Sequence, residues 1–273
     1  MNDTASFFRG VGLLLLILYS SSPGAAEGFP GRLKYAEIPV IELDALYQRR
    51  NDVVIVDARS NFEYETLRIK GAVNIPVANE TFEEEVRQLS HSTNKSIVFY
   101  CNGHRCMKSY IAAKKAMAVG VAKVLAYDAG IFDWTKAYPN EAELLGTSPV
   151  KKHYLISRKH FQAHLLHPDA FSEGIANNAG NAIVVDVRDK FQRAGIGFYP
   201  GLERWANLDD REKLNHYIQR AQRENKTLYI YDEVGKQVRW LQYALERAGV
   251  KDYYFMEKGA RAYYEMIAKI EWQ

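Results

Sequence analysis

The 273-residue chain carries 36 Lys and Arg against 33 Asp and Glu, a net charge of +3 with no basic tract, which argues against a nucleic-acid partner. Its 47% hydrophobic and 25% charged content fits a globular protein with room for one large or two modest domains. Two cysteines, Cys101 and Cys106, are far too few for a disulfide-built scaffold.

Residues 1–26 read as an export signal. Arg9 supplies the positive start, Val11 to Tyr19 is an apolar run too short to span a bilayer comfortably, and small residues at Gly24 and Ala26 suit cleavage after Ala26. The expected location is periplasmic or secreted, with membrane contact only through an uncleaved signal. An irregular lead-in follows to Pro39. Ile41 to Arg50 has helical spacing, and Val53 to Val56 is a continuous apolar run ending at Asp57, the pattern of a strand buried on both faces. A short helix is expected from Asn61 to Leu67, a short strand in Gly71 to Pro76, and a helix from Phe82 to Leu89. Ser96 to Tyr100 reads as the next buried strand. A helical pattern then runs to Val119 and closes on Gly120, and Val124 to Ala126 and Gly130 to Ala137 read as strand and helix. Strands alternating with helices imply an α/β fold with a mostly parallel sheet.

The order then returns. Val53-Val54-Ile55-Val56-Asp57-Ala58-Arg59 is echoed by Ala182-Ile183-Val184-Val185-Asp186-Val187-Arg188, Gly120-Val121 by Gly249-Val250, and Gly130 by Gly259, all at one offset. A constant offset implies two tandem copies of one fold, each a mostly parallel sheet flanked by helices. The turn-rich stretch from Leu145 to Val150 is the expected linker. The expected units are therefore 27–148 and 149–273.

Chemistry concentrates at Cys101. It ends a buried strand and faces the start of a helix, where free backbone N–H groups and the helix dipole favour an anion. Arg105 and Lys108 add positive charge, and His104 adds more when protonated. A lowered thiol pKa and an anion cradle are expected, with Asn102 and Gly103 suited to a tight loop. In the second copy Asp232 stands in place of the cysteine and its loop is two residues shorter, so that copy is expected to lack both the nucleophile and the ring of amides.

These stretches resemble the rhodanese (thiosulfate sulfurtransferase) family. The resemblance rests on Val56-Asp57-Ala58-Arg59, Glu63 and Tyr64, Ile69 to Pro76, Tyr100-Cys101 with its loop, and Tyr127 to Trp134, and it covers both copies. It implies a catalytic Cys101 that takes sulfane sulfur from a donor, holds it as a persulfide and passes it to cyanide, a thiol or a protein cysteine. It implies an active-site loop of Asn102, Gly103, His104, Arg105 and Cys106, with Arg105 and Lys108 binding an anionic substrate and Asp57 and Arg59 bracing the site as an ion pair. Tandem members of the family usually carry the cysteine in the second copy, and the loop usually ends in Arg, Lys or Thr where this chain has Cys106. The phosphatase relatives need Cys-x5-Arg, and the sixth position here is Met107.

The expected partners are a small sulfur-containing anion or thiol, and a protein sulfur acceptor or reductant. No cofactor is expected. Two alternatives stay open: thiol–disulfide or sulfur-binding chemistry on the Cys101/Cys106 pair, and a non-enzymatic interaction module whose C-terminal tyrosines (Tyr253, Tyr254, Tyr263, Tyr264) line an interface. His160, His164 and His167 are expected on one face of a helix capped by Ser157. They read as a solvated polar face rather than a metal site, with Asp169 the nearest added carboxylate. The second copy is expected to complete a cleft, with Trp205 and Trp240 as its candidate walls.

Overall fold

The computed structural model describes residues 28–194 and 197–270, so the export-signal reading falls outside the described residues. The first half runs α1 (Pro30–Lys34), α2 (Leu43–Arg49), β1 (Val53–Asp57), α3 (Asn61–Thr66), β2 (Leu67–Ile69), β3 (Val73–Asn74), α4 (Phe82–Ser92), β4 (Ser96–Tyr100), α5 (Lys108–Ala118), β5 (Val124–Tyr127), α6 (Gly130–Ala137) and β6 (Ala142–Leu144). The second half runs α7 (Arg158–Gln162), β7 (Leu165–Leu166), α8 (Pro168–Asn177), β8 (Ala182–Asp186), α9 (Lys190–Arg193), β9 (Glu203–Trp205), α10 (Arg211–Glu224), β10 (Thr227–Tyr231), α11 (Val238–Ala248), β11 (Tyr253–Met256) and α12 (Gly259–Ile270).

Each half builds a parallel sheet. The first has strand order β3-β1-β4-β5, and the second β7-β11-β10-β8-β9. The orders correspond. Asp57 aligns with Tyr100 across β1 and β4, as Asp186 aligns with Tyr231 across β8 and β10. Even the edge strand β7 has a counterpart, because Val40 forms a single parallel bridge to Ala126. The fold is α/β with mostly parallel sheets flanked by helices.

Local chemistry explains the boundaries. The central strands are almost wholly buried, which selects unbroken apolar β-branched and aromatic runs. Helix α3 starts on a capping box: the Ser60 hydroxyl accepts from the Glu63 amide, and the Glu63 carboxylate accepts from the Ser60 amide. In the first half, three elements depart from the sequence expectation. Residues 30–34 form a short helix rather than an irregular lead-in, because Pro30 starts a turn and Gly31 lets it press against Tyr110: a Cβ on Gly31 would lie 2.2 Å from the Tyr110 ring. Strands β2 and β6 pair antiparallel as a separate ribbon.

The halves share one core. Its buried residues include Phe62, Leu67 and Trp134 from the first half, and Trp240, Leu241 and Tyr243 from the second. Phe132 stacks on Trp240 at 5.4 Å across the seam, and Arg247 donates to the Leu145 carbonyl at 2.6 Å. At roughly 1.5–3 kcal/mol per large apolar side chain buried, this shared layer is a major part of what holds the halves together.

Candidate active site

Cys101 directly follows β4 and is fully buried. Its carbonyl accepts from the Ile131 amide at 3.0 Å, which ties the loop to the start of α6. The loop turns sharply, with the Cys106 amide donating to the Gly103 carbonyl at 2.6 Å. Two glycines make the approach possible. Gly130 has φ +74°, and a Cβ on it would lie 2.3 Å from the Gly103 nitrogen; Gly103 has φ +142°, and a Cβ on it would lie 2.9 Å from the Ala129 carbonyl oxygen. The α6 glycine is therefore part of the loop's mould.

The thiol of Cys101 points into the turn. Its sulfur lies 3.2 Å from the Cys106 carbonyl oxygen, to which the thiol donates, and 3.6 Å from the Ser109 hydroxyl. Burial pushes this thiol well above its ordinary range, and the adjacent Cys106 pushes the same way. Cys106 is half-buried and moves oppositely, down to about 6. A hydrogen bond from Cys101 is the chief cause, and the Asn102 and Lys108 amides add to it. The sequence expectation of a lowered Cys101 is thus reversed: the loop amides and the Lys108 charge lower Cys106, and Cys101 is too deeply buried to carry charge cheaply. Both cysteines are free thiols.

Behind the loop stands a chain of buried polar groups. Arg59 binds Asp57 at 2.6 Å with both side chains inaccessible, donates to the Leu67 carbonyl at 2.6 Å and reaches Asn102 Oδ1 at 3.2 Å. Asn102 Nδ2 donates to Glu63 Oε1 at 2.9 Å, and Glu63 Oε2 receives Lys108 at 3.2 Å. Glu63 is held below the usual carboxylate range by Lys108 and Arg59, against the opposing effect of its burial. Asp57 and Arg59 lie too deep to touch a substrate; they position Asn102. Glu63 is the hub that joins Asn102 to Lys108, a role that its place in the sequence did not announce.

The outer rim differs. His104 Nε2 pairs with Asp133 at 2.7 Å, and its ring stacks on Phe29 at 4.2 Å. Lys108 is occupied by Glu63. Arg105 is exposed and forms no ion pair among the described residues.

The second half repeats the frame with different contents. Arg188 binds Asp186 at 2.9 Å, both inaccessible. Asp232 occupies the cysteine position, and its carboxylate accepts from the amides of Val234 at 3.0 Å, Gly235, Gln237 at 2.5 Å and Val238 at 3.2 Å. The shorter loop therefore does form a ring of amides, contrary to the sequence expectation, and the ring is filled by the chain's own carboxylate.

Trp240 is buried at the seam, with the Arg59 guanidinium 5.0 Å from its ring. Trp205 donates to the Arg188 carbonyl within the second half. A cavity of approximately 700 Å³ does open between the halves. Its lining, including Tyr64, Arg68, Arg211 and Arg247, contains no residue of the Cys101 loop.

The three histidines do not share a helix face. Helix α7 stops at Gln162 because Leu165 and Leu166 pair with β11, and His167 lies beyond them, bonded to Asp169 at 2.7 Å. His160 and His164 instead meet Glu246.

A family model described as Rhodanese-like domain matches residues 41–137. Among curated proteins, a tRNA uridine(34) hydroxylase of Cytophaga hutchinsonii is 40% identical over 62 residues, 22% of this chain and 20% of that protein. One of Yersinia enterocolitica is 32% identical over 90 residues, 31% of this chain and 24% of that protein. The match thus spans a quarter or less of these relatives. Among solved structures, a thiosulfate sulfurtransferase from Pseudomonas aeruginosa aligns over 84% of this chain and 42% of its own, at 14% identity and a TM-score of 0.40. The segment that carries Cys101, its loop and their bracing network is a rhodanese-like domain.

Proposed function

We propose that this protein is an exported sulfurtransferase that carries sulfane sulfur on Cys101. The observation that supports this reading most is the placement of Cys101 at the floor of a turn braced through Asn102 by the buried Asp57–Arg59 pair. In the reaction the Cys101 thiol first gives up its proton to solvent, and the thiolate attacks the outer sulfur of an anionic donor. With thiosulfate, the donor S–S bond breaks, sulfite leaves and Cys101 becomes a persulfide anion, so charge and atoms balance. The persulfide then gives its outer sulfur to cyanide or a thiol, returning the thiolate. Arg105 attracts the donor, and the loop amides take up the negative charge that moves onto the outer sulfur. Cys106, where an arginine, lysine or threonine is usual in the resembling family, argues for a donor other than thiosulfate as the natural one. The run Val11 to Tyr19 supports export.

Export motivates a second reading, favoured by the opposite displacement of the two thiols. A half-buried, low-pKa Cys106 beside a buried, protonated Cys101 is the arrangement of an attacking and a resolving thiol. Cys106 would attack a substrate disulfide, and Cys101 would then displace the substrate thiol, leaving an internal disulfide that needs an external dithiol to reopen. The tRNA chemistry named for the relatives is not carried over, because the shared stretch is a small part of them.

The test is mass spectrometry of the full chain after incubation with thiosulfate, with cyanide turnover measured alongside. Sulfur transfer predicts the gain of one sulfur on Cys101 and no turnover in Cys101→Ala. Loss of two hydrogens across the pair, with turnover depending on Cys106 instead, would replace the first reading by the second.

A further inference from the structure

We propose that His160, His164 and Glu246 form a divalent transition-metal site of the zinc-binding type in the second half. One ligand atom from each, a ring nitrogen from both histidines and a carboxylate oxygen from Glu246, lies within 4.8 Å of the others. The three come from different parts of the fold: His160 from α7, His164 from the turn into β7, and Glu246 from α11. Two imidazoles and a carboxylate are a borderline N2O donor set that suits Zn²⁺ and Cu²⁺, with remaining positions left to water.

The surroundings are those of a held ligand set. His164 Nδ1 lies 2.9 Å from the Tyr253 carbonyl. A carbonyl only accepts, so Nδ1 carries the proton and the Nε2 lone pair is the one His164 can offer; an outer backbone partner of this kind fixes tautomer and ring angle. The His164 ring is also stacked on Tyr253 at 4.0 Å. Glu246 accepts from the Tyr253 hydroxyl. His160 Nε2 bonds Glu246 Oε1 at 2.7 Å, so the metal-free cluster is closed by one hydrogen bond. A metal ion would take the place of that hydrogen bond, with His160 bound as the neutral imidazole. His160 and Glu246 are 47% and 41% exposed, so an ion can enter. Bound, it would tie the end of α7 to α11 beside the start of β11.

Thiols also bind such metals, so the test uses the full chain without a histidine tag and with both cysteines replaced by serine. Zn²⁺ titrated calorimetrically should bind at one equivalent per chain and raise the melting temperature. Losing a ligand should cost at least what losing an outer partner does, about 10–100-fold in affinity, in His160→Ala and His164→Ala alike. His167→Ala, outside the cluster, should bind as the parent does. Should His164→Ala fold poorly because its stack is lost, Glu246→Gln gives the same weakening with every ring in place. Cu²⁺ in the parent should show electron paramagnetic coupling to two imidazole nitrogens. Absence of one-equivalent binding, or affinity unchanged in His160→Ala and Glu246→Gln, would overturn the site.

Discussion

Asp232 stands in the second half where Cys101 stands in the first. Each follows the last residue of a paired central strand, and each carbonyl accepts the amide that follows a helix-starting glycine, Ile131 at 3.0 Å and Ala260 at 2.8 Å. The difference is what fills the turn. In the first half it is the Cys101 thiol, which donates to the Cys106 carbonyl; in the second it is the Asp232 carboxylate, which accepts from four amides. Burial pushes that carboxyl up, and the four amides pull against the rise. Asp232→Asn keeps the shape and spoils the match. One amide oxygen serves one pair of N–H donors, and the side-chain NH2 then faces the other pair. The expected loss is about 1–3 kcal/mol in denaturant unfolding. A variant as stable as the parent would show that the amides do not need an anion.

That contrast marks where the sequence stops being legible. The strand Ser96–Tyr100 and the helix Gly130–Ala137 are found at the bounds expected from apolar runs and glycine placement. Strands β2 and β6 were not legible, because three residues of mixed polarity carry no period and the partners lie far apart in the chain. The same limit applies to sites. Cys101 at a strand end is visible from local pattern, whereas the Asp57–Arg59 pair is implied by the family resemblance. The link from Asn102 to Glu63, and Glu246 beside His160 and His164, join residues brought together only by tertiary packing. The loop around Asp232 was misread for another reason: counting residues measures a turn's length, whereas the carboxylate decides which way its amides face.

Arg59 offers a test of the bracing network. Its guanidinium is inaccessible and bonds Asp57, the Leu67 carbonyl and Asn102, with the Trp240 ring beside it. Asp57→Asn leaves a buried charge without its counter-ion, a loss of about 3–5 kcal/mol. Adding Arg59→Met removes the stranded charge and should restore part of that stability. It should not restore sulfur transfer, because the double variant takes away the Arg59 donor that holds Asn102. Denaturation and turnover on both variants separate the two effects. Equal recovery of stability and turnover would show that Arg59 does not position the loop.

Gly130 tests the mould. Alanine there must hold φ near +74° and place a Cβ against the backbone at Asn102 and Gly103. Backbone cannot swing away as a side-chain tip can, so the Cys101 turn must shift. A positive-φ alanine costs on the order of 1 kcal/mol or more by itself. Turnover should fall much further than this strain alone implies, at least tenfold, since a displacement of about 1 Å at a reacting group can cost 10²-fold. Gly120→Ala is the control. It also has positive φ but meets open space, so it should lose similar stability and keep its activity.

The opposed thiols give the pH behaviour. In the parent, Cys106 should titrate near pH 6, read as ultraviolet thiolate absorbance or as the inflection in its alkylation rate. Below that pH it is protonated and slow; above it, the thiolate persists. Cys101→Ala removes the thiol that donates to Cys106, the largest cause of its depression, so the inflection should move up towards the ordinary value of about 9. Cys106→Ala acts in the reverse direction. Cys101 loses both the neighbouring charge and the hydrogen bond that hold its proton, so its titration should move down, while burial keeps it above an exposed thiol. If Cys101 is the sulfur carrier, the cyanide turnover of Cys106→Ala should therefore reach half its maximum at a lower pH than the parent's. If Cys106 is the attacking group, that variant loses turnover at every pH, and Cys101→Ala keeps the first step with its onset displaced upward. The two profiles differ in both direction and residue, so one titration series assigns the nucleophile.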